Sequence, residues 1–160
     1  MAELNDTIVS EFVKHFEELG AKLHKWADPL SEHQFWLNPY GYGNSVGHLV
    51  LHLTGNLSYY IGAQIATTGY VRNRDREFTD PGKRAKSDVL ADFDKAIGMV
   101  TDTIRKQSAA DWSLPYSAAR STEKNRFAIM LHCAAHADYH LGQIIYLSME
   151  LTRQARSRGA

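Results

Sequence analysis

A chain of 160 residues in which 18 basic residues balance 18 acidic ones carries no formal net charge with histidine neutral. This balance argues against general nucleic-acid binding, which needs excess cations to displace phosphate counterions. No apolar run is long enough to span a bilayer, no signal-peptide layout opens the chain, and one cysteine, Cys133, excludes an internal disulfide. We therefore expect residues 1–160 to form one domain of a cytoplasmic protein without membrane contact.

Apolar residues that recur every three or four positions predict four helices. These helices span approximately residues 6–26, 44–68, 87–107 and 121–153. Polar residues stand where helix caps are expected: Asn5 or Asp6, Asn44 or Ser45, and Ser87. Four amphipathic helices joined by loops of this length predict an all-α fold, a four-helix bundle.

The segments between and after the helices carry weaker signals. Residues 114–118 could form a short extended piece, and the tail 154–160 is expected to fray. The connection 70–86 is locally basic, with Arg72, Arg74, Arg76, Lys83, Arg84 and Lys86. Two interpretations stay open for it: a solvated surface loop, or a loop that attracts an anionic small molecule.

Five of the eight histidines lie in two short stretches, His48 and His52 on the second predicted helix and His132, His136 and His140 on the fourth. Residues four apart share one helical face, so each helix presents a row of imidazoles. The apolar stripe of the fourth helix includes His136 and His140, and His52 lies beside the core stripe of the second. We expect these three rings to converge inside the bundle.

A shared metal ion is the simplest partner for three inward imidazoles, because an unsatisfied buried ring nitrogen costs roughly 1–3 kcal/mol. His52, His136 and His140 are therefore the predicted ligands of one divalent metal ion. The spacing does not choose the metal; we expect zinc or nickel, with iron or manganese as alternatives. Three protein ligands leave a coordination position open, which is typical of catalytic sites.

Six further residues could orient the imidazoles or face a substrate. They are His48, Asn56, Tyr59, His132, Cys133 and Gln143. Asn56 and Gln143 follow predicted ligands by about one turn and could hold an imidazole tautomer or simply pack helices. Cys133 is either a small buried hydrophobe or a fourth, soft ligand.

Two segments carry a family resemblance. Residues 44–56 (NSVGHLVLHLTGN) and 132–145 (HCAAHADYHLGQII) resemble the second- and fourth-helix signatures of the DinB/YfiT-like superfamily. Residues 72–78 resemble the linker of one branch of uncharacterised function. The resemblance implies an up-down-down-up four-helix bundle, frequent homodimers, and one metal on three histidines, which by motif position are His52, His136 and His140. Characterised relatives include thiol-dependent S-transferases and a mycothiol-dependent isomerase.

A second apolar stripe on the fourth predicted helix favours a homodimer, because a helix apolar on two sides must be covered on both. The stripe comprises Phe127, Met130, Leu131, Ala134, Leu141 and Ile145.

These observations predict a metalloenzyme that activates either water or a thiol, such as one of low molecular weight. The activated group would be transferred to an electrophilic small molecule or would hydrolyse it. The alternative is a non-catalytic, stress-related metal-binding dimer whose coordination sphere is closed by Cys133 or His48. A third hypothesis is a structural dimer in which hydrogen bonds alone satisfy the histidines.

Overall fold

The computed structural model describes residues 2–82 and 84–158, and over these ranges the regular structure is helical. The helices are α1 (Ala2–Ala27), α2 (Glu32–Trp36), α3 (Val46–Leu57), α4 (Arg76–Thr79), α5 (Lys86–Arg105) and α6 (Arg126–Arg158). A π-helical turn, Ser58–Ala63, continues α3, and a 3-10 turn, Asp111–Ser113, precedes α6. The all-α class is thus confirmed for the described part of the chain.

The four long helices share one apolar core, in which α1 and α3 each pack against both α5 and α6. His24 near the end of α1 bonds Asp94 in the first half of α5 at 2.8 Å, whereas Arg105 at the end of α5 bonds Glu17 at 2.7 Å. Because the residue numbers run in opposite senses, α1 and α5 are antiparallel.

Helix α3 is antiparallel to α6, and this pairing positions the histidines. The His52 ring lies against His136, well inside α6, at a centroid distance of 5.1 Å. In the π-helical turn that continues α3, the Tyr60 hydroxyl donates to the carbonyl of Ala119, which precedes α6, at 3.3 Å. The turn after α3 therefore lies near the start of α6.

Several predicted helix ends are wrong because side chains bond elsewhere in the fold. Helix α1 begins at Ala2, and Asn5 does not cap it but accepts a hydrogen bond from the Trp112 indole at 2.8 Å. Helix α5 begins at Lys86 rather than Ser87, and the carboxylate of Glu32 accepts from the Lys86 backbone N–H at 3.0 Å. For the second predicted helix, the expected cap Ser45 is confirmed: the helix begins at Val46, and the Ser45 hydroxyl accepts from the backbone N–H of His48 at 3.2 Å.

Other corrections concern length. The α-helical geometry of the second helix ends at Leu57, and α6 begins at Arg126 rather than residue 121. Residues 154–158 of the tail, expected to fray, continue α6, while 159–160 lie outside the described residues. The short helices α2 and α4 were not predicted. The extended piece at 114–118 is reduced to an isolated bridge between Pro115 and Asn125.

The basic connection folds against α3, and α4 is its point of contact. Of its predicted basic residues, Lys83 lies outside the described residues. Among the described helices, none combines the length and apolarity that crossing a bilayer requires.

The second apolar stripe of α6 is largely covered within the protomer. Met130, Ala134 and Leu141 are buried, and only Phe127 and Leu131 have substantial exposed area, 38% and 53%. The stripe therefore does not by itself require a second subunit, and the homodimer stays a prediction.

Candidate metal centre

Three histidines from two helices meet at one point between α3 and α6. One ring nitrogen from each of His52, His136 and His140 lies within 4.8 Å of the other two. The Nε2 atoms of His52 and His136 are 3.0 Å apart, and the His140 ring centroid lies 4.5 Å from that of His136. The convergence expected from helical spacing is thus present.

The i, i+4 spacing places His136 and His140 one turn apart on the same face of α6, and the antiparallel α3 brings His52 to both. His52 is buried, with 4% of its surface exposed, while His136 and His140 are half-buried. One side of the cluster is therefore closed by the fold and the other is open to small molecules.

Hydrogen bonds set the tautomers of two of the rings. The carboxylate of Glu77 accepts from Nδ1 of His52 at 2.8 Å, and the amide oxygen of Gln143 accepts from Nδ1 of His140 at 2.7 Å. Because carboxylate and amide oxygens only accept, both Nδ1 atoms carry the proton. The lone pair of each ring is left on Nε2, as metal ligation requires. The orienting role predicted for Gln143 thus has a structural basis.

Glu77 and Arg72 are the site residues that sequence reasoning missed. Arg72 donates from Nε to Oε1 of Glu77 at 2.6 Å and from Nη2 to Oε2 at 2.8 Å. Both side chains are less than a tenth exposed. Burial alone would raise the pKa of Glu77, but hydrogen bonds from Arg72 and His52 outweigh it and hold that pKa below its ordinary value.

Gly55 makes room for this carboxylate. A Cβ at Gly55 would lie 2.8 Å from the carboxyl carbon of Glu77, closer than non-bonded atoms approach. The connection can therefore press Glu77 against α3 only because position 55 carries no side chain. The only signal in the sequence was the glycine itself, one turn after His52. It does not indicate a carboxylate contact until the path of the connection is known.

The environment keeps His136 and His140 neutral. Burial, reinforced by the neighbouring rings of His140 and His52, lowers the pKa of His136 to about 4. Burial also lowers the pKa of His140, against the raising effect of the Gln143 hydrogen bond. Neutral imidazole is the form that ligates metal ions, so neither ring needs to lose a proton near neutral pH.

His48 and His132 lie outside the cluster. His48 uses both ring nitrogens, one with the Ser45 hydroxyl and one with the carbonyl of Asp80, each at 2.7 Å, and so fastens the connection to α3. His132 is exposed, pairs with Glu123 at 2.9 Å and stacks on His136 with 14° between ring planes.

The remaining predicted residues have other environments. Cys133 is fully buried in the core, and burial raises the pKa of its thiol to about 12. It is not part of the group of potential ligands found in the described residues. Asn56 is buried, with no described partner for its Oδ1, and half-buried Tyr59 lines a cleft beside the site.

The site thus defines a class, a helical protein with three converging imidazoles and an ion-paired carboxylate behind one of them. A family model described as a protein of unknown function (DUF1572) matches residues 3–157, and the chain belongs to that family. Comparison with curated proteins produced no match.

Proposed function

We propose that this protein binds one divalent metal ion through Nε2 of His52, His136 and His140 and uses it to activate a thiol or water against an electrophilic small molecule. The observation that carries the proposal is the convergence of three imidazoles, two of which donate a hydrogen bond from Nδ1–H and so leave the Nε2 lone pair for a metal ion.

The spacing of the rings supports one shared ion. Nitrogens bound at about 2.0–2.1 Å to the same tetrahedral ion lie roughly 3.3 Å apart. The Nε2 atoms of His52 and His136 are 3.0 Å apart, and the ring nitrogens of all three histidines lie within 4.8 Å of one another, so small side-chain shifts would bring them to one ion. A hydrogen bond between the same atoms would satisfy only two of the three rings. The hypothesis that the histidines are purely structural and satisfied by hydrogen bonds alone therefore has less support.

An open coordination position is supported by what the other candidates do. His48 has both nitrogens engaged, and the Cys133 thiol is held protonated in the core. A fourth protein ligand, which the non-catalytic alternative needs, therefore has no candidate among them. A bound ion would lower the pKa of a thiol or water at that position and polarise the electrophile.

The chain's own residues have three tasks in this proposal. Glu77 and Gln143 hold the tautomers of two ligands, and Arg72 neutralises the Glu77 carboxylate. The half-buried edge at His136 admits the substrate, and His132, stacked beside it, lies close enough to contact one.

We also propose that the fold is the up-down-down-up bundle of the DinB/YfiT-like superfamily. The antiparallel pairs α1/α5 and α3/α6 fit it. So does the contact between Phe12 of α1 and Phe127 at the start of α6, with ring centroids 5.7 Å apart, because it sets the starts of the two helices side by side.

Metal titration tests the proposal. Elemental analysis of untagged protein is expected to give one zinc or nickel ion per chain, with iron or manganese as the other outcomes. By titration calorimetry, His136→Ala is expected to weaken metal binding at least 100-fold, whereas His33→Ala, which removes an exposed histidine of α2, has no effect. Equal affinity in wild type and His136→Ala would overturn the metal site.

Substrate activation is tested separately by a thiol-conjugation and hydrolysis screen of metal-loaded protein. Activity is expected to disappear on chelation and to return with the metal. Stoichiometric metal without turnover of any electrophile in the screen would favour the non-catalytic alternative.

A further inference from the structure

We infer that the cleft beside the three-histidine centre binds the carboxylate of a small aromatic acid, and that this anion is part of the substrate. The cleft has a volume of about 670 Å³ and lies between the connection 70–75 and the segment that precedes α6. As a substrate site, the inference rests on the proposed function.

Two arginines in the lining have no ion-pair partner among the described residues. No carboxylate of the described residues pairs with the side chain of Arg74 or Arg120, and both are exposed. Arg72 lines the same cleft, but Glu77 neutralises it. Asp75, also in the lining, offsets one of the two remaining cations. The net charge of the lining is therefore one positive, which matches a single carboxylate better than a phosphate dianion.

The position of Arg74 ties the cleft to the histidines. Its guanidinium carbon lies 5.1 Å from the ring centroid of Phe78, and Phe78 lies 4.8 Å from the ring of His52. Arg72 gives a second link, since its Nη2 is 3.4 Å from Nδ1 of His52. An anion held by Arg74 would therefore lie two side-chain contacts from His52, one of the proposed metal ligands.

Arg120 is held in an unfavourable backbone conformation. Its φ of +65° lies in the left-handed region, which is unfavourable for a residue with a Cβ because the side chain crowds the backbone. The hydroxyl of Tyr60 lies 3.3 and 3.4 Å from the carbonyls of Ala119 and Arg120, and so ties the backbone at Arg120 to the π-helical turn that continues α3. Strain of this kind persists where the surroundings impose it, and it is frequent at ligand sites.

Tyrosine side chains form the apolar walls. Tyr59 and Tyr60 pack edge to face with centroids 5.1 Å apart, and Tyr70 completes the lining with 38% of its surface exposed. Aromatic walls favour a planar ring, which packs on them by offset or edge-to-face contact. Guanidinium forks favour a carboxylate, which accepts two parallel hydrogen bonds.

Three matched probes separate charge from shape: benzoate, its neutral analogue benzamide, and acetate. In chelator-treated protein, followed by ¹⁵N–¹H chemical shifts, benzoate is expected to bind at least about ten-fold more tightly than either of the others. Its shift changes are expected to map to residues 70–75 and 119–120. Equal binding of benzoate and benzamide, or changes that map elsewhere, would overturn the inference.

Arginine variants test the residues. Arg74→Gln and Arg120→Gln are each expected to weaken benzoate roughly ten-fold, because each removes a charge-assisted hydrogen bond. Arg76→Gln is the matched control, since Arg76 lies on the same connection but lines a different cleft. An effect of Arg76→Gln as large as that of Arg74→Gln would show general charge attraction and overturn the site.

A paramagnetic measurement tests the link to the metal. With Mn²⁺ or Co²⁺ added, the ring protons of benzoate are expected to relax faster in wild type but not in His136→Ala. Benzoate that binds without faster relaxation would show a cleft separate from the metal centre, which contradicts the inference. Failure of the metal to bind would overturn the proposed function. The benzoate titration of chelator-treated protein would still show whether the cleft binds a carboxylate.

Discussion

Glu77 reaches Nδ1 of His52 across 25 residues of sequence, at 2.8 Å, and is itself held by Arg72 in a two-pronged ion pair. The arrangement is a carboxylate behind a histidine whose other nitrogen, Nε2, faces Nε2 of His136. In metal sites such a carboxylate fixes the ring and raises its basicity. The connection between α3 and α5 is thus an integral part of the candidate site.

Replacement of Glu77 by glutamine is expected to lower metal affinity by about 10–100-fold, because an amide supplies no negative charge to raise the basicity of His52 and leaves Arg72 without its ion-pair partner. The measurement is metal titration calorimetry. Glu123→Gln is the matched control, since Glu123 also pairs with a histidine, His132, but outside the cluster. If both variants bind metal as wild type does, Glu77 has no orienting role.

Gly55→Ala is expected to displace the Glu77 carboxyl and so to weaken metal binding and lower the melting temperature. Alanine is intrinsically the better helix former by up to about 1 kcal/mol, which makes the expected loss informative. Gly98→Ala provides the comparison, because a Cβ at Gly98 meets nothing within 4 Å. That variant is expected to be neutral or stabilised. A stabilised Gly55→Ala with full metal affinity would contradict the close packing of Glu77.

Alkaline pH is expected to destabilise the protein through Cys133. Burial raises the pKa of its thiol from 9.0 to about 12, so above pH 9 the unfolded chain releases a proton that the folded protein retains. The stabilising effect is complete below pH 9 and is lost as the pH rises towards 12. Urea unfolding between pH 7.5 and 10.5 measures this effect. The free energy of unfolding of Cys133→Ala is expected to fall less steeply with pH than that of the wild type, by up to about 1.4 kcal/mol per pH unit.

Reactivity gives an independent check on the same thiol. In native protein at pH 8, Cys133 is expected to resist an aromatic disulfide reagent and to react at once in urea. Rapid reaction of the native protein would show an accessible, ionised thiol and would reopen its role as a ligand.

We expect the homodimer predicted from the sequence to use the groove of about 510 Å³ between α1 and α6 that Phe127 and Leu131 line. Leu131→Glu is expected to convert a dimer to a monomer in light scattering, because it places a charge in an apolar contact. Tyr42→Glu, at an exposed loop position, is the control. A wild-type monomer at micromolar concentration would contradict the dimer.

The sequence by itself determined the helical class and which histidines face the core. Helical periodicity is a local property, so the four-residue spacing of His136 and His140 was enough to put both on one face of α6. Helix ends were less predictable. Asn5 and Lys86, for example, bond to Trp112 and Glu32, partners distant in the chain that no local pattern reveals.

Only the tertiary structure decided how the three imidazoles are held. Glu77 and Arg72 lie in a charged connection whose sequence is equally compatible with a solvated loop. Its path depends on the absence of a side chain at Gly55 and on the hydrogen bond from His48 to the carbonyl of Asp80. It also depends on the ion pair between Arg72 and Glu77, which is buried when the connection covers α3. These are contacts between distant segments, and their energies exist only after the chain has folded.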